Sequence, residues 1–221
     1  MYIFIACFIN TKNMSKRAIA WLTIILSLVI DQASKIWVKL TMQSGEEFRY
    51  IGDWARIHFV ENEGMAFGMS FGGGYGKLML TVFRIIAVSF LSYVLAQQIK
   101  LQKSSKLYIF CLAMILAGAL GNIIDSVFFG QIFSHSEGQV ATLFPEGGGY
   151  AGWFHGRVVD MFYFPMIKGT WPTWVPFVGG EYFEFFRYIF NVSDACITVG
   201  VALLLIFQHK FFPSEDATKT A

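Results

Sequence analysis

Four long apolar stretches constrain the fold of this chain more than any other feature. They cover residues 18–38, 78–99, 107–129 and about 185–207. A helix needs about 20 mostly apolar residues to cross the hydrocarbon core of a bilayer, and a helix satisfies its own backbone hydrogen bonds in lipid. The sequence therefore predicts four transmembrane helices, with both chain ends on one side of the membrane.

The composition supports a membrane location. Charged residues make up 14% of the chain and apolar residues 55%, whereas soluble domains carry about 25% charged residues. The same proportions exclude a disordered chain. The net charge of +2 gives no reason to expect a nucleic-acid partner. The three cysteines are far apart and form no CxxC pair, so we expect neither a redox relay nor a cysteine-built zinc site.

Lysine and arginine near the span ends predict the orientation, because such residues are in excess on the cytoplasmic side. They cluster before the first span, between the second and third spans, and after the fourth. We therefore expect residues 1–17 to form a cytoplasmic amino-terminal segment and 211–221 a cytoplasmic tail. Residues 18–210 would form a single intramembrane domain. Whether the chain starts at Met1 or Met14 stays open.

The two long connections, 39–77 and 130–184, then lie outside the cell. Residues 48–60 are rich in aromatic and β-branched side chains, so we predict a small extracytoplasmic sheet within 45–65. The glycines at 72–76 predict a flexible lead into the second span, and 130–184 predicts a long irregular aromatic segment. The expected fold class is an all-α membrane protein, a four-transmembrane-helix bundle with a small extracytoplasmic β-sheet and a long extracytoplasmic loop segment.

Carboxylates inside the apolar stretches are the main functional signal. Charged side chains within a span are costly and usually face the bundle interior or mark a functional site. Asp31, Asp125 and Asp194 each fall in the outer half of the bilayer when depth is counted at 1.5 Å per residue. This shared depth predicts one site that opens to the outside.

A fourth carboxylate, Asp160, lies in the second outer segment and is expected to be a loop acid. Asp31 has Lys35 one helical turn later, and such a pair partly neutralises itself, which favours a structural role. Asp160 and Asp194 have no basic residue at helical spacing, which favours a functional role for both. Asn122 precedes Asp125 by three residues, and Asn191 precedes Asp194 by three, so each pair shares a helix face.

Two neighbouring carboxylates can hydrolyse a peptide without a metal or a covalent intermediate, because one stays protonated while the other is ionised. The sequence contains no HExxH zinc helix and no GxSxG elbow. A transporter or proton-relay subunit is the alternative, since intramembrane aspartates serve there too, although four spans without inverted repeats are a poor basis for transport. A scaffold protein would leave the carboxylates unexplained.

Five motifs in order resemble the lipoprotein signal peptidase (signal peptidase II) family, over about residues 16–210. They are Asp31-Gln-Ala-Ser-Lys35, Asn62-Glu-Gly-Met-Ala-Phe67, Gly118-Ala-Leu-Gly-Asn122-Ile-Ile-Asp125, Gly156-Arg-Val-Val-Asp160 and Phe190-Asn191-Val-Ser-Asp194. The resemblance implies an intramembrane aspartic endopeptidase of the bacterial inner membrane. Such an enzyme removes signal peptides from prolipoproteins by cutting just before a diacylglyceryl-modified cysteine. It also implies membrane lipid as a partner, no cofactor or metal, and a monomer.

The resemblance assigns roles to individual residues. Asp160 and Asp194 would be the catalytic pair, with their site toward the extracytoplasmic face. The other motif residues would bind substrate or support the site: Asn62, Gly64, Asn122, Asp125, Asn191, Asp31 and Lys35.

The chain departs from the family pattern in two ways. Ser126 stands where the family usually has arginine, and Arg157 or Arg187 is a candidate substitute. The stretches between Asp125 and Asp160, and between Asp160 and Asn191, are longer than is usual in the family. These insertions are expected to form an enlarged outer lid.

Overall fold

Three apolar helices dominate the structure, a computed structural model that describes residues 14–63 and 73–211. They are α1 (Lys16–Thr41), α2 (Gly73–Lys100) and α3 (Lys106–Ile124). Within those described ranges, three helices are long and apolar enough to cross a membrane, which confirms the first three predicted spans as apolar helices of sufficient length. The flexible lead predicted at 72–76 is wrong from Gly73 onward, because the helix begins there. Glycine costs only about 1 kcal/mol in a helix interior, and the apolar run that follows propagates the helix.

The end of α3 is distorted where the candidate site residues begin. After Ile124 the chain forms a π-helical turn, Asp125–Phe129, and then a short helix α4, Gly130–Ile132. π-Helical turns are rare and often occur at functional sites. The apolar stretch Lys106–Ile132 remains long enough to span a bilayer.

The fourth apolar stretch is shorter than predicted. Helix α5 covers Val192–Ile206, and α6 covers Gln208–Phe211. The predicted start at residue 185 is wrong, because that residue belongs to a strand. Aromatic residues before 191 favour extended structure, and the helix starts only after them. Whether α5 and α6 cross the membrane stays a prediction.

A four-stranded antiparallel sheet carries one of the candidate site residues. Its strands run in the order β1-β2-β3-β6. They are β1 (Glu47–Ile51), β2 (Ala55–Asn62), β3 (Val158–Tyr163) and β6 (Ile189–Phe190). A separate hairpin pairs β4 (Ile167–Thr170) with β5 (Tyr182–Phe185). The small sheet predicted within 45–65 is confirmed, but the prediction of an irregular segment over 130–184 is wrong at these strands.

The chain divides into two compact units. The first comprises Met1–Gln32, Gly72–Ile124 and Val192–Ala221, and the second Ala33–Phe71 and Asp125–Asn191. In the first, α3 and α5 pack closely, because a Cβ on Gly118 would lie 2.8 Å from Ile197. Small residues allow membrane helices to approach in this way. The second unit has its own core, with the buried side chains Val38, Phe59, Phe133, Val159 and Met161.

Candidate active site

Asp160 lies on strand β3, in the interior of the sheet, so the expectation of a loop acid is wrong. Its side chain is buried. Asn62 on β2 donates from Nδ2 to Oδ2 at 3.1 Å, and Asn191, directly after β6, donates from Nδ2 to Oδ1 at 2.7 Å. Two amides on the flanking strands therefore fix both oxygens of this carboxylate.

Asp125 begins the π-helical turn and is fully buried. Its Oδ2 lies 2.8 Å from the ammonium of Lys35, which is also fully buried. The same oxygen accepts the backbone N–H of Val159 at 3.2 Å. The structure shows Asp125 as a partner of Lys35, which helical spacing did not predict; the pairing of Lys35 with Asp31 stays a prediction. Asp125 thus fixes the backbone of β3 by a hydrogen bond at Val159, the residue before Asp160.

Gly156 allows β3 to approach the π-helical turn. Its N–H donates to the carbonyl of Ser126 at 2.8 Å. A Cβ at this position would collide with the carbonyl oxygen of Asp125. Ser126 itself is buried, so a longer side chain at that position would have to displace its neighbours.

Asp194 lies in the first turn of α5 and is partly buried. Asn122 on α3 donates from Nδ2 to Oδ1 of Asp194 at 2.9 Å. A carboxylate in the first turn of a helix is also favoured by the helix dipole. This hydrogen bond links α3 to α5. The predicted helix face shared by Asn191 and Asp194 is wrong, because α5 begins only at Val192 and Asn191 precedes it.

Asp31 supports the start of α5. Its Oδ1 accepts the backbone N–H of Ser193 at 2.8 Å, and its Oδ2 accepts from Gln32 at 3.1 Å. A Cβ on Gly121 would lie 2.6 Å from Oδ2 of Asp31, so glycine is needed there. The Asp31 carboxylate satisfies a backbone donor of the helix start that has no partner within the helix.

The two candidate catalytic aspartates have the same kind of support. In each case an asparagine amide binds the carboxylate. In each case a buried aspartate accepts the N–H of the preceding residue: Asp125 for Val159 and Asp31 for Ser193. Such fixed hydrogen bonding holds a side chain in one orientation. Gly64, the remaining predicted residue, lies outside the described residues.

A charged network that the sequence did not reveal surrounds Arg157, three residues before Asp160. Its guanidinium binds Glu63 at 2.8 Å, Glu137 at 2.9 Å and Glu61 at 3.4 Å. Burial lowers the pKa of Arg157, but the hydrogen bonds that its guanidinium donates to Glu137 and Glu63 outweigh this and hold the pKa above its ordinary value. Glu61 and Glu63 flank Asn62 in the sequence. This pair of acidic residues was the only local feature that pointed to the charged network around Arg157.

Lys39 joins the same network from the end of α1. Its buried ammonium pairs with Glu61, lies 3.0 Å from Ser136 Oγ, and faces the rings of Phe133 and Tyr150 at 5.2 and 5.0 Å. Aromatic faces attract cations. Phe133, Ser136 and Tyr150 therefore pack around Lys39 within the second unit, and the predicted role of this insertion as a lid stays a prediction.

Comparisons with known proteins agree on one family. The family model described as signal peptidase (SPase) II matches residues 23–210. A lipoprotein signal peptidase from Porphyromonas gingivalis is 54% identical over 183 residues, which are 83% of this chain and 79% of the relative. One from Amoebophilus asiaticus is 38% identical and covers 82% of this chain and 74% of the relative.

The fold also has a counterpart among solved structures. A bacterial membrane enzyme, solved by the in meso method at 1.9 Å resolution, aligns with a TM-score of 0.57 and 22% sequence identity. The alignment covers 86% of this chain and 91% of that chain. With the family match over most of its length, the chain belongs to the signal peptidase II family.

Proposed function

We propose that this signal peptidase II is an intramembrane aspartic endopeptidase with Asp160 and Asp194 as its catalytic residues. As a family member it removes signal peptides from prolipoproteins, and the proposed cut lies just before a diacylglyceryl-modified cysteine. The observation that carries this assignment is the matching support of the two aspartates. Each carboxylate accepts an asparagine amide, and each follows a residue whose N–H is held by a buried aspartate.

The proposed chemistry needs two carboxylates in different protonation states. The ionised carboxylate takes a proton from water, and the resulting hydroxide adds to the carbonyl carbon of the scissile peptide. The protonated carboxylate donates a hydrogen bond to the carbonyl oxygen. As the C–N bond breaks, a carboxylic acid proton passes to the leaving nitrogen, which departs as an amine. General acid–base catalysis of this kind is typically worth about 10²–10⁴-fold.

The amides and the buried aspartates have positioning roles in this proposal. Asn62, Asn191 and Asn122 orient the carboxylates, because an amide donor binds a carboxylate in a defined direction. Asp31 and Asp125 hold the backbone before each catalytic residue, and Lys35 compensates the charge of Asp125. We propose no cofactor and no metal.

The proposed topology places both chain ends in the cytoplasm of a bacterial cell, in the inner membrane, with four helices crossing it and the site toward the outside. A contact at one end of α1 supports this orientation. Lys16 donates to the carbonyls of Leu101 and Gln102 at 2.6 and 3.1 Å. The start of α1 therefore lies beside the basic turn between α2 and α3, as the positive-inside rule requires. A monomer, with residues 18–210 acting as one peptidase domain, completes the proposal.

Replacing each carboxylate by its amide tests the catalytic pair. Asp160→Asn and Asp194→Asn should each abolish useful cleavage of a lipidated precursor in detergent, while the variants keep the wild-type unfolding temperature. Asp53→Asn is a matched control, because the Asp53 side chain is 80% exposed. Substantial cleavage by both variants would reject the pair.

A further inference from the structure

The hairpin of β4 and β5 ends in an exposed, uncharged tip. Residues 169–180, here called the aromatic tip, contain no charged side chain and hold Trp171, Trp174 and Phe177. Trp174 is 80% exposed and Phe177 is exposed completely. Apolar surface of this kind in water marks a site of contact with a membrane or another molecule.

The tip has an ordered backbone. The N–H of Trp171 donates to the carbonyl of Glu181, and the N–H of Gly180 donates to the carbonyl of Trp171, both at 2.9 Å. Gly179 and Val175 donate to carbonyls within the tip at 3.0 Å, and two further positions are prolines, which have no N–H. Internal pairing of backbone donors is what a segment needs in a layer that is poor in water.

Charged side chains begin directly after the tip, at the exposed Glu181, and continue at the neck of the hairpin. Lys168 on β4 and Glu184 on β5 face each other in the register and form an ion pair at 2.9 Å. Tyr163 donates its hydroxyl to the same carboxylate at 2.5 Å. Polarity therefore changes along the hairpin from a charged neck to a tip of tryptophan, phenylalanine, valine and proline.

We propose that the aromatic tip inserts into the phospholipid headgroup layer of the membrane that holds the helices. Tryptophan is enriched in that layer because its ring is apolar and its N–H is polar. In the sequence, six residues, 186–191, connect β5 to the apolar helix α5. A protein interface has a polar rim, whereas the most exposed side chains of the tip, Trp174 and Phe177, are aromatic. The inference does not depend on the catalytic pair.

A photoreactive residue at the tip tests this contact directly. The full chain would carry p-benzoylphenylalanine in place of Phe177, or in a second variant Trp174, and would be reconstituted into phosphatidylcholine and phosphatidylglycerol vesicles. A matched control would carry it at Gln139, which is exposed in a polar turn. Cleavage of precursor by each variant would confirm that it is folded.

Illumination should give phospholipid adducts at positions 177 and 174 that are at least fivefold more abundant than at 139. Adducts mainly to precursor, or to a second copy of the chain, would overturn the proposal. Equal lipid labelling at 139 and at both tip positions would overturn it as well, because the tip would then have no preference for lipid.

Discussion

The ammonium of Lys35 lies 2.8 Å from Oδ2 of Asp125, and neither side chain is exposed. The same oxygen accepts the N–H of Val159, next to Asp160. Oδ2 of Asp125 therefore takes part both in the ion pair with Lys35 of α1 and in the hydrogen bond to β3. Strand β3 carries Asp160, a proposed catalytic residue.

Breaking this pair should destabilise the protein strongly. Lys35→Met leaves Asp125 as a buried carboxylate without its cation, and removal of one partner of a buried pair typically costs about 3–5 kcal/mol. The unfolding temperature in detergent should therefore fall by many degrees. Lys35→Met combined with Asp125→Asn should recover much of the loss, because the amide is neutral and can still accept from Val159.

An exposed pair gives the control. Arg49 and Asp53 lie 2.7 Å apart with side chains 61% and 80% exposed, and such pairs contribute about 0–1 kcal/mol. Arg49→Met should leave the unfolding temperature nearly unchanged. If Lys35→Met behaves like Arg49→Met, the buried pair is not important for stability.

The asparagines beside Asp160 should affect turnover to different degrees. Asn191→Leu keeps the side-chain size but removes donors to Asp160 and to the carbonyl of Val159. Hydrogen bonds to charged groups are worth about 1.5–3 kcal/mol, which corresponds to a loss of roughly 10–100-fold in kcat. Asn62→Ala should cost less, because that bond is longer and less buried. Measured kcat values that do not change with Asn191→Leu would contradict its positioning role.

A methyl group at Gly156 should separate β3 from the π-helical turn. Its Cβ would meet the Asp125 carbonyl oxygen, and overpacking of this kind costs about 1–3 kcal/mol. Gly156→Ala should lower both the unfolding temperature and kcat. Gly147→Ala is the control, because nothing lies within 4 Å of its added Cβ. Equal behaviour of the two variants would show that the close approach is not required.

Protonation of Glu184 at low pH should destabilise the hairpin of β4 and β5. Hydrogen bonds from Lys168 and Tyr163 lower the pKa of Glu184 below its ordinary value of 4.5. A carboxylate with a lowered pKa contributes stability above its unfolded pKa and loses it as the pH falls through the folded pKa. Burial and the Glu184 bond raise the pKa of Tyr163 to about 12, so the hydroxyl remains a donor throughout this range.

Hydrogen exchange can follow the acid effect. After correction for intrinsic rates, amides of 167–170 and 182–185 should exchange faster below the folded pKa of Glu184 than at neutral pH. Glu184→Gln keeps an acceptor for Tyr163 but does not titrate, so its corrected exchange should be independent of pH over this interval. A wild-type hairpin whose protection does not change would refute the prediction.

The sequence predicted the long helices well, because long apolar runs are a local pattern. The three-residue spacing of Asn191 and Asp194 was misleading, because the helix begins only after Asn191. Strand β3 was missed because its partner β2 lies about a hundred residues earlier, and its sequence, VVDMFY, does not alternate between apolar and polar residues.

The contacts of the charged residues were harder to predict. Helical spacing offered Asp31 as a partner of Lys35 and gave no sign of Asp125, which is distant in the chain and pairs with the same cation. The network of Lys39, Glu61 and Arg157 was missed for the same reason. Pairing between distant charges is decided by tertiary packing, and no local pattern encodes it.

The order of strands in the sheet has a consequence for biosynthesis. Asp160 receives one amide from Asn62 and the other from Asn191, so its carboxylate is not fully held until the ribosome has translated past residue 191. A nascent chain that stalls before residue 191 would carry a carboxylate oriented from one side only. The order in which the residues are made thus delays proteolytic competence until β6 and the residue after it have been translated.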